Sequence, residues 1–151
     1  MILVAGFGGE EKFIDAMLRE LTPRRSDAKE FALQHRVLLA RTRDGVDADI
    51  ALGGLSFEER SVTRASVWHI RDGPMITTCS AEDLVVHKAF AGRELDWGDL
   101  ERVLIRQHGK LDLEQIRLEL KPLLELKGEL QAMDKLQRIL ATVERRLHAK
   151  P

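Results

Sequence analysis

Residues 44–52 read Asp-Gly-Val-Asp-Ala-Asp-Ile-Ala-Leu, and this stretch decides how the first half of the chain folds. Asp44-Gly45 is a turn signal typical of a hairpin, and residues 46–52 carry the composition of a strand. An apolar run within residues 35–42 supplies the partner strand. We therefore predict an antiparallel hairpin at the centre of a sheet.

The segments on either side of this hairpin add a further strand and helices. Residues 2–7 are an apolar run followed by glycines, which predicts a buried strand and a turn, and residues 10–21 have apolar residues at helical spacing. Residues 56–59 have capping-box spacing, which predicts a helix to about residue 65. Two short strands with a tight turn between them follow, at residues 66–71 and 74–77.

The second half of the sequence changes to helical periodicity. Helices are predicted to start near Ser80, Asp96 and Asp112, and the last runs from Glu129 to about His148. Pro122 is expected to kink or end the third of them. The pattern predicts an α+β part over residues 1–79 and a helical half over residues 80–151, packed as a single compact unit. The fold class is α+β.

Composition and charge exclude several classes of protein. The 151 residues carry 24 Lys and Arg against 25 Asp and Glu, which gives no overall attraction to nucleic acid, and no clear nucleic-acid surface is expected. No apolar run approaches the ~18 residues of a membrane span, so no membrane partner is expected. With Cys79 as the single cysteine, no internal disulfide can form, and we expect a cytoplasmic location.

Asp47 and Asp49 are the first candidates for chemistry. Alternate residues of a strand face the same side, so the two carboxylates would share one face, and Mg²⁺ prefers such oxygen ligands. The alternative for Asp47 is a solvated residue near a turn. Asp49 stands between Ala48 and Ile50 in an apolar stretch, where we expect a charge to be buried for a reason.

Two motifs resemble the bacterial minimal nucleotidyltransferases, in particular those of abortive-infection toxin systems. The hydrophobic-Asp-hydrophobic unit around Asp49, followed by Phe57-Glu58, is similar to the strand bearing that family's third carboxylate. Residues 80–100, Ser-Ala-Glu-Asp-Leu-Val-Val-His-Lys-Ala-Phe-Ala-Gly-Arg-Glu-Leu-Asp-Trp-Gly-Asp-Leu, are similar to its helical signature. The resemblance implies a mixed sheet with flanking helices, followed by a helical half. It covers residues 37–107 best.

The resemblance also implies roles for single residues. Asp49 would be the catalytic carboxylate and a ligand of Mg²⁺, while Lys88, Arg93 and Asp96 would bind the nucleotide. The complete enzyme would transfer a nucleoside monophosphate from a nucleoside triphosphate to an acceptor hydroxyl. For Lys88 the alternative is an ordinary surface lysine, and for Asp96 it is capping of a helix.

One departure from the family pattern bears on activity. The family's first metal ligands are an Asp-x-Asp pair after a glycine turn, expected just before the strand at residues 2–7, and this sequence has no such pair there. The gene start was assigned too late, or the chain is a degenerate relative, and as it stands we expect it to be inactive or nearly so.

Two other interpretations stay open from the sequence. The first is a non-catalytic interaction module, either toxin–antitoxin-like or dimeric through the C-terminal helices, where five apolar residues from Met133 to Leu147 have heptad-like spacing. Packing of that stripe on its own helical half is the alternative. The second is an unrelated α+β domain whose motif matches are coincidental.

Overall fold

The computed structural model of the chain describes residues 2–4, for which only the backbone is considered, and residues 8–148. It contains helices and two separate β-sheets, which confirms the predicted α+β class. Two compact units are present, Met1–Thr63 and Arg64–Pro151, and each is described by itself. The glycine turn predicted after the first strand lies partly outside the described residues.

The first unit is built on a four-stranded mixed sheet. Its strands are β1 (Ile2–Val4), β2 (Thr22–Pro23), β3 (Val37–Arg41) and β4 (Asp47–Gly53). Their order is β1-β4-β3-β2, with β1 parallel to β4 and the other pairs antiparallel. Gly45 takes φ +83° in the β3–β4 turn, a conformation that glycine adopts without steric cost. The predicted central hairpin is confirmed.

Three helices accompany this sheet, α1 (Glu10–Glu20), α2 (Ala28–His35) and α3 (Ser56–Thr63). Alternation along β3 and β4 directs one set of side chains into the core, where they pack with α1 and α2. The buried members of this core are Ile14, Ala28, Ala32, Leu38, Ala40, Ile50 and Leu52. The opposite face of β4 carries the acidic residues.

Two details of this unit differ from the sequence prediction. Helix α2 was not predicted, because its eight residues include few large apolar side chains and bury only Ala28 and Ala32. The predicted cap of α3 is made differently: the Glu58 carboxylate accepts the backbone N–H groups of Gly54 and Leu55, at 2.7 and 2.8 Å. The side chain that caps the start of α3 is therefore Glu58, and the donors that it satisfies belong to the residues just before the helix.

The second unit contains a hairpin and four helices. The hairpin strands are β5 (Ser66–His69) and β6 (Met75–Thr78), and the helices are α4 (Ala81–Ala91), α5 (Glu94–Arg106), α6 (Leu113–Lys127) and α7 (Gln131–His148). Ser80 caps α4 by accepting the N–H of Asp83, as predicted. Over the described residues, no helix is both long and apolar enough to cross a membrane.

The helices of this unit enclose its apolar core. Buried side chains come from all four of them, among them Val86, Leu100, Leu120 and Leu136. Helix α6 continues through Pro122 to Lys127, so the prediction that this proline ends the helix is wrong. The turn that follows the proline packs into the same core through the buried Leu123 and Leu124.

The apolar stripe of α7 is turned inward. Leu136 and Val143 are buried within the second unit, and helix α7 packs against α4, α5 and α6. Packing on its own helical half is therefore the arrangement that the structure has.

The division between the units lies earlier than the sequence suggested. The change in composition placed it between Cys79 and Ser80, whereas the compact units divide between Thr63 and Arg64. The hairpin therefore belongs to the helical unit, and Arg64 at its start is tied to α4 and α6 by ion pairs. Ion pairs between residues far apart in the sequence cannot be predicted from local periodicity.

Candidate functional site

The acidic face of β4 forms the first candidate cluster. Asp47 and Asp49 lie on the same face of the strand, as predicted from their spacing. Both bind Arg24, which follows β2: its Nη1 donates to Asp49 Oδ1 at 2.6 Å, and its Nε lies 3.4 Å from Asp47 Oδ2. Arg41 Nε donates to Asp47 Oδ1, also at 2.6 Å. Arg24 thus bridges the two carboxylates.

Asp49 is not buried. Its side chain is 66% exposed, because the alternation that sends Ala48 and Ile50 toward the core sends Asp49 to the other face. We predicted that the Asp49 carboxylate is buried and that its burial serves a function. That prediction is wrong, because the side chain is mostly exposed. The hydrogen bond from Arg41, together with the charge of Arg24, holds the pKa of Asp47 below its ordinary value.

These residues do not by themselves provide a magnesium site. Mg²⁺ requires near-octahedral oxygen coordination, and the two carboxylates of β4 are both engaged by a guanidinium. Within the described part of the chain, no group of three His, Cys, Asp or Glu side chains is arranged to hold a metal ion.

The second candidate cluster is an ion network between α4 and α5. Lys88 Nζ donates to Asp96 Oδ1 and to Asp99 Oδ2, both at 2.9 Å. Arg93 Nε donates to Asp96 Oδ2 at 2.6 Å, and Arg102 Nη1 donates to Asp99 Oδ1 at 3.0 Å. The structure therefore brings together Lys88, Arg93 and Asp96, the three residues that the helical signature singled out.

Asp96 is the centre of this network. Its side chain is only 3% exposed, and hydrogen bonds from Arg93 and Lys88 lower its pKa from 3.8 to about 2. The same contacts raise the pKa of Lys88, with Asp99 as the larger cause, and that of Arg93. All three groups are thus held in their charged forms across the physiological range.

The backbone of α5 explains why Asp96 lies inside. The helix begins at Glu94 after Arg93, whose side chain makes no capping hydrogen bond, so Asp96 is the third helical residue. The interpretation of Asp96 as the helix cap is therefore wrong. Gly92, at φ +71°, ends α4, and Arg93, the next residue, pairs with Asp96 three residues further along, in the first turn of α5.

A third cluster was not predicted from the sequence. Arg64 donates to both carboxylate oxygens of Asp83, with Nη2–Oδ1 at 2.6 Å and Nε–Oδ2 at 3.1 Å, and to Glu119 Oε1 at 2.9 Å. The Asp83 side chain is 0% exposed. The hydrogen bonds that Arg64 donates to Asp83 are the main cause that raises the pKa of Arg64. The sequence contains one indication of this cluster. Glu119 lies on the apolar face of α6, three residues after Ile116 and one before Leu120, where an unpaired charge would be costly.

The four residues proposed from the resemblance are distributed over both units. Asp49 belongs to Met1–Thr63, whereas Lys88, Arg93 and Asp96 belong to Arg64–Pro151. No protein-family model matches the sequence, and no curated protein matches it at a significant level. The function is therefore argued from the residues and their geometry.

Proposed function

We propose that this chain is a nucleotidyltransferase-like protein that does not transfer nucleotides in this form, and in which the motif residues stabilise the fold. An active protein of this kind would transfer a nucleoside monophosphate from a nucleoside triphosphate to an acceptor hydroxyl with Mg²⁺. The observation that carries the proposal is the pairing of Lys88 with two aspartates. The charge that would bind a triphosphate is already neutralised by the protein itself.

The energetics of Lys88 oppose its use as a phosphate ligand. To reach a phosphate, its ammonium group would have to leave Asp96, a carboxylate that is almost fully buried. Removing one partner from a buried charge is costly because the remaining charge cannot be solvated by water. Arg93 is bound to the same carboxylate, so its charge is also partly committed. The network is better suited to joining α4 to α5 than to releasing its cations.

Asp49 is similarly engaged. Its contact with Arg24 gives it a cationic partner at the position where a metal ion would be expected to neutralise it. Asp49 therefore joins β4 to the segment after β2 in this proposal.

Calorimetry tests the proposal directly. The full chain is titrated with ATP, GTP, CTP and UTP in the presence of Mg²⁺, and no saturable binding is expected. Lys88→Ala and Asp49→Asn should leave that result unchanged. Lys29→Ala is the matched control, because Lys29 is also a paired lysine, bound to Asp15, but lies outside the clusters. Saturable binding that disappears in Lys88→Ala and persists in Lys29→Ala would contradict the proposal.

The exposed apolar side chains of the β5–β6 hairpin favour a second candidate function, a dimerisation module. The hairpin is a separate two-stranded sheet, and its strands expose Val67, Trp68, Met75 and Ile76. Two-stranded hairpins are marginally stable alone, and exposed strand edges are normally protected by charged side chains. These two strands contain no charged residue, so a second copy could pair with an edge without repulsion.

The oligomeric state tests this second candidate. Light scattering over a concentration series should show a dimer that Trp68→Lys converts to a monomer. Leu126→Lys provides the control, because Leu126 is an equally exposed apolar residue on α6. A chain that stays monomeric at every concentration, or a dimer that Trp68→Lys leaves intact, excludes pairing through the hairpin.

A further inference from the structure

The outer edge of β6 presents backbone hydrogen-bonding groups that the hairpin itself does not use. The N–H of Ile70 donates to the carbonyl oxygen of Pro74 at 3.3 Å, so these two residues form a hydrogen-bonded pair. Hydrogen-bonded and non-hydrogen-bonded pairs alternate along an antiparallel ladder. Met75 and Thr77 therefore belong to non-hydrogen-bonded pairs, and their N–H and C=O groups point away from β5. Among the described residues, no third strand pairs with this edge.

The edge of β6 is complementary to itself under a twofold rotation. When two β6 strands run antiparallel with Ile76 opposite Ile76 of a second copy, Met75 of each copy lies opposite Thr77 of the other. Each such pair can exchange hydrogen bonds in both directions through its outward groups. Pro74 then falls at a non-hydrogen-bonded position, where its missing N–H costs no hydrogen bond. A second copy of the chain thus satisfies the outward groups of β6.

The same register brings together the exposed apolar side chains of two hairpins. Trp68 and Ile76 are opposite each other in the β5–β6 ladder and so share a face, on which they are 61% and 42% exposed. Pairing about Ile76 would place both tryptophans and both isoleucines in one row across the joined sheet. A two-stranded sheet is marginally stable in water, whereas a sheet with more strands and an apolar face is stable. Pairing therefore supplies what the single hairpin lacks.

Charge favours β6 over β5 as the paired edge. Residues 74–79, Pro-Met-Ile-Thr-Thr-Cys, extend past both ends of β6 without a charged side chain. Two residues after the end of β5 lies Arg71, whose side chain is almost fully exposed, and charged side chains on an edge oppose pairing. Trp68 is also held along β5, because its Nε1 donates to Ser66 Oγ at 3.0 Å. Pairing through β6 leaves Arg71 and Trp68 undisturbed.

We propose that two copies of the chain pair through β6, as an antiparallel ladder with Ile76 at the twofold axis. Such pairing presupposes the dimerisation module that is the second candidate function, and it specifies the edge and the register of that dimer. One short strand from each copy makes a small interface, so the dimer should be weak and should depend on protein concentration.

Engineered cysteines test the register. All variants carry Cys79→Ser, which removes the native thiol. Residues opposite each other in a non-hydrogen-bonded pair have Cα atoms about 4.5 Å apart, a separation that a disulfide can span. Ile76→Cys should therefore give a disulfide-linked dimer under mild oxidation, seen on a non-reducing gel. Met75→Cys is the matched control, because Met75 is more exposed than Ile76 but is displaced along the ladder from Met75 of the second copy, and it should stay monomeric on that gel.

Proline substitutions test the edge. Thr77→Pro removes an outward N–H of β6, and Val67→Pro removes the N–H of the opposite residue, which points outward from β5. In light scattering, Thr77→Pro should weaken dimerisation at least about tenfold, because one hydrogen bond per copy is lost. Val67→Pro should leave dimerisation unchanged. Circular dichroism establishes that each variant is folded.

Several results would overturn the β6 pairing. Equal yields of disulfide-linked dimer from Ile76→Cys and Met75→Cys would exclude the register, and a dimer that Thr77→Pro leaves intact or that Val67→Pro abolishes would exclude the edge. These results would leave the dimerisation module standing, whereas a chain that is monomeric at every concentration excludes both. Binding to phosphatidylcholine vesicles without any disulfide-linked dimer from Ile76→Cys would show that lipid, rather than a second copy, covers the apolar face.

Discussion

Replacing Arg64 with alanine should destabilise the helical unit more than replacing any other partly exposed charged residue of that unit. The change removes the only cation bonded to both Asp83 and Glu119 among the contacts described, and leaves a fully buried aspartate without its ion pair. Breaking a buried pair in this way typically costs ~3–5 kcal/mol. Since 29% of the Arg64 side chain is exposed, water can replace part of the lost interaction, and we expect about 3 kcal/mol.

Urea denaturation provides the measurement. Both tryptophans lie in the second unit, and Trp97 is buried, so tryptophan fluorescence reports on the unfolding of that unit. With a urea m-value of about 1.5 kcal/mol/M, a loss of about 3 kcal/mol lowers the denaturation midpoint by about 2 M. Arg102→Ala is the control, because its pair with Asp99 is exposed and should contribute at most about 1 kcal/mol.

A second variant separates the charge effect from a simple loss of contacts. Arg64→Met, Asp83→Leu and Glu119→Leu are combined, so that the ion cluster is replaced by apolar side chains of similar volume. Such replacements are often neutral or stabilising. Equal midpoints for Arg64→Ala and Arg102→Ala would refute the reasoning. A triple variant no more stable than Arg64→Ala would show that unpaired buried charge is not the cause.

Four further predictions concern pH, two glycines and helix capping. The pKa of Asp96 is lowered from 3.8 to about 2, so its contribution to stability is complete above pH ~4 and is lost as the pH falls toward 2. In Asp96→Asn the free energy of unfolding should therefore depend less on pH over that interval, as followed by circular dichroism. Gly98→Ala should raise the free energy of unfolding by ~0.5–1 kcal/mol, because Gly98 lies inside α5 with open space at its Cβ position. Gly92→Ala should lower it by a similar amount, because Gly92 has φ +71°. Asp112→Ala should cost ~1 kcal/mol in chemical denaturation, because Asp112 accepts two N–H groups at the start of α6, and equal stability of variant and parent would refute this.

The first unit shows what local patterns can and cannot predict. The Asp44-Gly45 turn and the apolar residues beside it were sufficient to predict β3, β4 and their pairing. Alternation also predicted that Asp47 and Asp49 share a face, but not which face. The partner that binds both, Arg24, lies 25 residues from Asp49 along the chain, and no local pattern connects them. Helix α2 was missed because its core contacts are made by small residues.

In the second unit, too, the sequence predicted the residues of the candidate site but not all of their contacts. The helical signature led to Lys88, Arg93 and Asp96, and these residues do contact one another. The sequence could not show that Lys88 is bound by two aspartates, since this depends on the angle between α4 and α5. Pro122 illustrates the opposite error. A proline inside a helix removes one backbone hydrogen bond, but α6 continues through Pro122 with buried apolar residues on both sides of it.

The position of Arg64 also determines where the gene can be divided. A fragment that starts at Ser80, where the composition changes, would omit the arginine that Asp83 and Glu119 require. Such a fragment would be expected to give insoluble or partly folded protein even though all four of its helices are present. Expression of the helical unit should therefore begin before residue 64, and proteolysis of the intact chain should leave a resistant product that retains this arginine.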